Sequence, residues 1–176
     1  MPLSLHSPTP EEYAPFYADY IQRAKAKDVL ALLPQQIDDI KFALGHLTDE
    51  QARFRFGPKE WSIKEVIGHL IDGERVFSYR LLCVSRNDTT PLPSFDQEDY
   101  VREAGFDNFP LVDLIAEFES MRHANILAIK NMSEDSTRRL GTASGATVSA
   151  RALIYMLVGH VEHHMESLHE KYLSAL

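Results

Sequence analysis

Residues 153–173, LIYMLVGHVEHHMESLHEKYL, combine an apolar helical pattern with four of the chain's eight histidines. Apolar side chains and histidines recur there at steps of three and four residues, which is the spacing of one helix face. The members of this line are Leu153, Leu157, His160, His164 and Leu168. The pattern predicts a helix from about Ser149 to Leu173. Its buried face either holds neutral imidazoles or gathers ligands for a metal ion.

His160 and His164 are four residues apart, so their Cβ atoms should lie about 5–6 Å apart on one helix face. Two imidazoles at that separation can converge on one cation. His163 offers a competing pair with His160, but it points to one side of the apolar line. We therefore expect His160 and His164 to act together. Burying two imidazoles without partners would be unfavourable, so a metal site and an ordinary core are about equally supported by this pair alone.

A third ligand is expected from another helix, because two ligands on one helix hold a metal weakly. His69 is the candidate, since it lies beside the inward-facing Val66 and Leu70. Gly73, one turn later, leaves space next to it. The alternative for His69 is a core histidine that is hydrogen-bonded within the protein.

Four charged residues lie near His69 in the sequence, and two of them are candidates for supporting the site. Asp72 could orient the His69 imidazole, because ligand histidines usually donate their other N–H to an acceptor. The alternative is a solvated acid on the helix surface. Arg80 lies on the same helical line as His69 but about 16 Å along the axis, so it is too far away to contact the metal; it could meet a cofactor carboxylate. Glu74 and Arg75 are expected to face solvent or a dimer partner.

The histidine pair does not have the pattern of a zinc peptidase. That pattern, His-Glu-x-x-His, places the general-base glutamate directly after the first ligand. Here Glu162 follows His160 by two positions, about 200° around the helix. The sequence therefore disfavours a peptidase.

The remaining helical patterns complete the predicted fold. Long helices are expected at about 28–47, 62–84 and 111–132, and Pro34 should kink the first of these or mark a later start. Ser62 and Glu65 match a capping box at the start of the second. A short N-terminal helix should begin at Pro15, with Tyr13, Phe16, Tyr17 and Tyr20 on one face.

Two segments lack this periodicity. Residues 85–110 contain three prolines and read as a long loop of the kind that forms lids or binding sites. Residues 138–149 read as a loop. The sequence predicts an all-α, antiparallel four-helix bundle with a short N-terminal helix and a long loop between bundle helices 2 and 3. We expect one domain over 1–176, with an arm at 1–25 and the bundle at 26–176.

Composition excludes several classes of function. With 18 basic and 26 acidic residues the net charge is −8, and no basic block offers a nucleic-acid or anionic-membrane surface. The single cysteine, Cys83, lies in an apolar helical run and is expected to be buried; one cysteine suits a reducing compartment. The start of the chain lacks the pattern of a signal peptide, and no apolar run approaches the length of a membrane span. We expect a cytoplasmic protein.

Three segments together resemble the DinB/YfiT-like family of metal-dependent proteins: WSIKEVIGHLIDGERVFSYR, FDQEDYV and GHVEHHMESL. The resemblance covers about Ala26 to Tyr172. It implies a four-helix bundle in which three histidines bind one divalent ion, usually zinc or nickel. Carried over by motif, those ligands are His69, His160 and His164. The resemblance also implies a homodimer.

The characterised relatives suggest what such a site could do. They include thiol transferases that use bacillithiol, mycothiol or glutathione, and a mycothiol-dependent isomerase. Three nitrogen ligands leave open positions on the ion, where a thiol could be held as a thiolate to attack an electrophilic small molecule. The alternative is a non-catalytic, dimeric metal-binding bundle with a structural or sensory role. A substrate pocket beside an open metal position would separate these two hypotheses, and Trp61, Phe95 and Tyr100 could line it.

Overall fold

The computed structural model describes residues 3, 5–25 and 27–176, and it is mostly helical. The helices are α1 (Ala18–Lys25), α2 (Val29–Leu44), α3 (Ile63–Ser85), α4 (Gln97–Ala104), α5 (Leu111–Lys130), α6 (Glu134–Thr137) and α7 (Ala150–Ser167). Two strands, β1 (Leu140–Ala143) and β2 (Ala146–Ser149), precede α7. A π-helical turn at Leu168–Tyr172 extends α7 toward the end of the chain. None of the helices described is long and apolar enough to cross a bilayer.

The four long helices α2, α3, α5 and α7 form the bundle. Both α2 and α3 pack against α5 and α7, so α2 and α3 occupy opposite corners. The short helix α1 lies along α7, where Gly159 allows the carbonyl group of Tyr20 to approach closely; a Cβ at that position would overlap this carbonyl. The all-α four-helix bundle predicted from the sequence is confirmed.

Side chains cap the N-termini of two bundle helices, and the capping box predicted for α3 is present. The Ser62 hydroxyl accepts from the Glu65 N–H, and the Glu65 carboxylate accepts from the Ser62 N–H at 2.8 Å, which completes the capping box of α3. Asp28 caps α2 by accepting from the Ala31 N–H. α2 then continues through Pro34, so this proline does not mark a later start.

The segment 85–110 is more structured than a loop. It contains α4 and a 3-10 turn at Phe106–Asn108, and both pack against α3. Before α4, Leu92 pairs with the β-hairpin: its N–H donates to the Thr142 carbonyl, and its carbonyl accepts from the Ser144 N–H. These contacts hold the segment across one side of the bundle.

Residues 140–149 form an antiparallel hairpin, which corrects the prediction of a loop. β1 and β2 are joined by Ser144 and Gly145, with φ of 54° and 77°. Positive φ at both central residues is typical of the tight two-residue turn that matches the twist of a hairpin. The strands have only four residues each. They are too short to show the alternation that identifies a strand.

The core divides into two apolar clusters along the bundle, with polar side chains between them. Gln36 lies between Leu33 of one cluster and Ile37 of the other, and Glu74 is similarly flanked on α3. The prediction that Glu74 faces solvent or a partner is wrong, because its side chain is 2% exposed and pairs with Arg122. Cys83 is buried, as expected.

Candidate metal centre

α3 and α7 bring the three predicted ligands together. His69, His160 and His164 each place one ring nitrogen within 4.8 Å of the other two. The Nε2 atoms of His69 and His160 are 2.8 Å apart, and each pair of ring centroids is separated by 4.7–4.8 Å. Among the described residues, no cysteine or carboxylate joins this group. The cluster therefore offers three nitrogen donors on a scaffold of two packed helices.

The spacing of these nitrogens suits one small cation. A tetrahedral zinc ion with Zn–N bonds of about 2.0–2.1 Å holds two nitrogens about 3.3 Å apart. The Nε2 atoms of His69 and His160 are 2.8 Å apart, so these two rings would have to separate slightly to bind one ion. The His164 ring makes no hydrogen bond within the described residues. A hydrogen bond can join two of the rings, but it leaves the third without a partner.

Gly73 makes room for this arrangement. A Cβ on residue 73 would lie 2.5 Å from Cε1 and 2.7 Å from Nδ1 of His160. Any side chain there would push the imidazole of α7 away from α3. The sequence suggested that Gly73 clears space beside His69, and the space is filled by the His160 ring.

The environment of the three rings keeps them neutral. Burial lowers the pKa of His69 to about 4. Burial, followed by the influence of neighbouring histidines, lowers the pKa values of His160 and His164 well below 6.5. A neutral imidazole keeps the lone pair that binds a metal, whereas an imidazolium does not. All three rings are thus in the ligand-competent form near neutral pH.

The other histidines do not join this group, although the His163 ring lies 5.0 Å from the His164 ring. His163 is adjacent to His164 in the chain, but it is 41% exposed and its Nδ1 lies 3.1 Å from the Asp19 carboxylate. This is the sideways orientation predicted from the helical line. His123 is exposed and lies near Glu119, and His6, His46 and His169 are also exposed.

Trp61, the only tryptophan in the chain, covers the cluster on one side. Its ring is nearly parallel to that of His164, with centroids 6.4 Å apart, and lies 4.7 Å from that of His69. The indole N–H donates to the Glu98 carboxylate of α4 at 3.1 Å. This bond ties the predicted lid segment to the entrance of α3 beside the histidines.

Two cavities open on either side of the histidines. The first, of about 240 Å³, is lined by His164, Trp61 and charged side chains; we call it the charged cavity, and its charges belong to Lys59, Glu60, Glu98 and Lys171. The second, of about 230 Å³, is lined by His69 and His160; we call it the aromatic cavity, after Phe16, Tyr17, Tyr20, Phe77 and Phe95. Gln97, the first residue of α4, lines both.

Asp72 and Arg80 lie outside the cluster. Burial raises the pKa of Asp72, whose charged neighbours are Arg75 and Glu117. Among the described residues it has no hydrogen bond to a ligand imidazole, so its orienting role stays a prediction. Arg80 donates to the Pro93 carbonyl and to Ser144 Oγ. Its guanidinium also lies 5.8 Å from the ring of Phe95. Arg80 therefore contacts a residue of the aromatic cavity without lining the cavity itself.

Sequence reasoning identified Trp61 and Phe95 as possible pocket residues and missed the rest of the walls. Phe16, Tyr20 and Gln97 come from segments whose position over α3 depends on long-range packing. The weak signal for Gln97 was its place within FDQEDYV, one of the three segments that carry the family resemblance.

Comparison with known proteins agrees with this fold. A model of the DinB superfamily matches residues 32–168, which is well over half of the chain. The solved structure of YfiT from Bacillus subtilis, described as "a probable metal-dependent hydrolase with an unusual four-helix bundle topology", is similar with a TM-score of 0.73 over 93% of each chain. Its sequence identity is 16%, so the likeness shows the fold alone. No curated protein sequence matches significantly.

Proposed function

The chain belongs to the DinB superfamily, and we propose that His69, His160 and His164 bind one divalent metal ion in an enzyme active site. The observation that carries this proposal is the convergence of three neutral imidazoles from two helices, two of them buried and that of His164 half-buried. Nitrogen donors of this kind suit zinc and nickel. With three protein ligands the ion would keep an open position, as catalytic zinc sites do.

The two cavities favour an enzyme over a closed structural site. One cavity reaches His164, and the other reaches His69 and His160, so small molecules have access to the cluster from two sides. A structural site would be expected to complete its ligand set and exclude solvent. The non-catalytic, sensory alternative remains the second hypothesis, and it predicts metal binding without turnover.

The reaction that we propose is transfer of a low-molecular-weight thiol to an electrophilic small molecule. The thiol sulfur forms a bond to carbon, the leaving group departs with its electron pair, and the thiol proton passes to solvent. A bound divalent ion would supply the lowered thiol pKa. The chain itself would bind the thiol in the charged cavity, which Lys59 and Lys171 line and where the Lys171 ammonium lies 5.2 Å from the centre of the Phe56 ring. A related hydrolase would use the same ion with water as the nucleophile, and a related isomerase would use it to rearrange a substrate.

Metal content tests the first step. Protein purified without a histidine tag should contain about one zinc or nickel ion per chain by mass spectrometry, and His69→Ala and His164→Ala should lose it. The matched control is His123→Ala, which removes an exposed histidine from α5. Full stoichiometry in both ligand variants, with helix content unchanged, would reject the assignment.

Thiol binding tests the second step without depending on turnover. Cobalt-loaded protein should gain a thiolate-to-metal absorption band when a thiol is added, and Trp61 fluorescence should change in the same titration because this ring adjoins His164. Transfer to 1-chloro-2,4-dinitrobenzene can then be compared with its hydrolysis in the absence of thiol. A metal-loaded protein that binds no thiol and gives only hydrolysis would replace the transferase with a hydrolase.

The homodimer and the cytoplasmic location implied at the start stay predictions. Sedimentation of the metal-free and metal-loaded protein would test the first, and a single species of about 40 kDa, twice the 20.0 kDa of one chain, is expected.

A further inference from the structure

The aromatic cavity contains more than a metal ion requires. We propose that it is a binding site for a ligand that carries one compact aromatic ring, whether or not a metal is present. A metal needs only the imidazoles of His69 and His160 from its lining, yet five further aromatic side chains surround the same space. Three separate parts of the chain supply them: the N-terminal segment, α3, and the residues just before α4.

The rings form a connected wall. Phe16 contacts Tyr17 at 5.2 Å and 84°, and Tyr17 contacts Phe77 at 6.0 Å and 80°. Phe77 continues to His160 at 5.6 Å and 87°. These contacts are edge-to-face. In each pair the edge of one ring meets the face of the other, so ring faces remain that a ligand ring can contact. A ligand ring at the usual centroid separation of about 4.5–7 Å would extend the same series.

The volume is sufficient for one aromatic ring. The cavity measures about 230 Å³. An apolar cavity of about 150 Å³ is enough to bind one benzene molecule. The aromatic cavity is therefore large enough for a single ring with a short substituent.

Polar groups at one edge favour a substituent that can form hydrogen bonds. Gln97 lines both cavities, and its side-chain amide has no hydrogen-bond partner among the described residues. Asp96 is also at this edge, but its carboxylate already accepts from the N–H groups of Glu98 and Asp99. A hydroxyl or carbonyl group on the ring would meet Gln97 on the side that leads to the histidines.

Charge argues against the other ligand that aromatic cages bind, a quaternary ammonium ion. Arg80 already places a guanidinium behind the wall, 5.8 Å from the Phe95 ring. Its Nη1 also donates to the Tyr17 hydroxyl at 3.4 Å. A second cation would be repelled by this group, and further repelled by any divalent ion on the histidines. The Asp96 carboxylate, which also lines the cavity, would repel an anion, so the ring should be neutral.

Fluorine NMR with 4-fluorophenol tests the site. We expect a Kd of about 1 mM or tighter, in the range reached by ligands of this size, in both metal-free and zinc-loaded protein. Phe16→Ala and Phe95→Leu should each weaken binding by about threefold to tenfold, because each removes one aromatic contact. Phe16 is 75% exposed, so its removal should leave the fold intact. Phe42→Ala, which removes an 88% exposed phenylalanine from α2, is the matched control and should have no effect.

Several results would overturn the proposal: no binding up to 10 mM (about ten times the expected Kd), equal weakening by Phe42→Ala, or unchanged binding in the Phe16 and Phe95 variants. Displacement of the probe by tetramethylammonium but not by phenol would replace it with a cation cage. The outcome is separable from the proposed metal chemistry. Binding of 4-fluorophenol by a protein that takes up no metal would reject the metal site and support this one.

Discussion

Two groups of buried polar side chains lie between the apolar clusters, and they differ in how far they satisfy each other. In the first, Arg122 donates to Glu74, to Gln36 and to the Leu157 carbonyl, and Asn125 donates to the second oxygen of Glu74. The second group is the three histidines, where a single ring-to-ring contact can be a hydrogen bond. The Arg122 group joins all four bundle helices, whereas the histidines join only α3 and α7.

This difference separates a structural cluster from a candidate binding site. The Arg122 group uses its own charges and amides to satisfy its members, so no donor or acceptor remains for a ligand. The histidines instead present nitrogen lone pairs to a common point, with a cavity on either side. Burial alone does not identify a functional site, because Arg122 is more deeply buried than any of the histidines. What identifies it is an arrangement that the chain does not complete.

The largest effect is expected when the structural group is broken. Arg122→Met leaves the Glu74 carboxylate buried without its partner, which should lower the free energy of unfolding by about 3–5 kcal/mol. Urea denaturation measures this loss. Metal content at a temperature where the variant is folded should stay near wild type, because no ligand has been removed.

A second substitution sharpens this prediction. The double variant Glu74→Leu, Arg122→Met replaces the whole ion pair with apolar groups of similar size, and it should recover most of the lost stability. A single variant that loses less than about 1 kcal/mol would mean that solvent reaches the pair and that the two polar groups are not as different as proposed.

The next effect concerns the pH dependence of the metal-free protein. The folded-state pKa of His69 is lowered to about 4 from 6.5, so between these values the unfolded chain binds a proton that the native protein does not. The contribution of neutral His69 to the free energy of unfolding is therefore fully present above about pH 6.5, and it is lost as the pH decreases toward 4. His69 alone should account for about 2 kcal/mol between pH 7 and pH 5, with His160 and His164 acting in the same direction. Urea denaturation in the presence of a chelator checks this.

His69→Gln provides the control for this pH effect. Glutamine does not titrate, so the fall in stability between pH 7 and pH 5 should be clearly smaller in this variant. Equal stability of the wild-type protein at both pH values would show that the imidazoles are protonated in the native state, and hence that they are not held as neutral ligands.

Gly73→Ala should separate metal binding from stability. The new Cβ would displace the His160 ring from the histidine cluster, so zinc affinity should fall by about tenfold or more. The cost of overpacking, about 1–3 kcal/mol, is partly offset by the better helix propensity of alanine, about 1 kcal/mol. Calorimetric titration with zinc and urea denaturation measure the two quantities. The control is Ser78→Ala, which lies five residues after Gly73 in α3. An unchanged zinc affinity in Gly73→Ala would contradict the role of His160.

The sequence could predict the parts of this comparison that depend on local periodicity. The line through His160 and His164 is set by the pitch of one helix, and the inward position of His69 by that of another. The Arg122 group was missed although α5 carried a signal, since Leu114, Phe118, Arg122, Asn125 and Ile129 follow one helical face. A charge on such a face requires a buried partner, which points to an acid on a neighbouring helix. Apart from Trp61 and Phe95, the cavity walls could not be predicted, and neither could the hairpin contact of Leu92, because they depend on long-range packing.

The smallest effect is expected at the histidine that is nearest to the cluster in sequence. His163→Ala should change zinc affinity by less than about twofold, and the loss of its exposed contact with Asp19 should alter stability by no more than about 0.5 kcal/mol. His164→Ala, one residue away, should lower zinc affinity by at least about 100-fold, because it removes a nitrogen ligand. The two variants have the same composition and the same helix propensity, so a difference in zinc affinity between them reports on the direction in which each histidine side chain points. Similar losses of zinc affinity in both variants would mean that the metal is bound by the exposed side of α7. The contrast between the self-satisfied Arg122 group and the incomplete histidine cluster would then no longer explain the site.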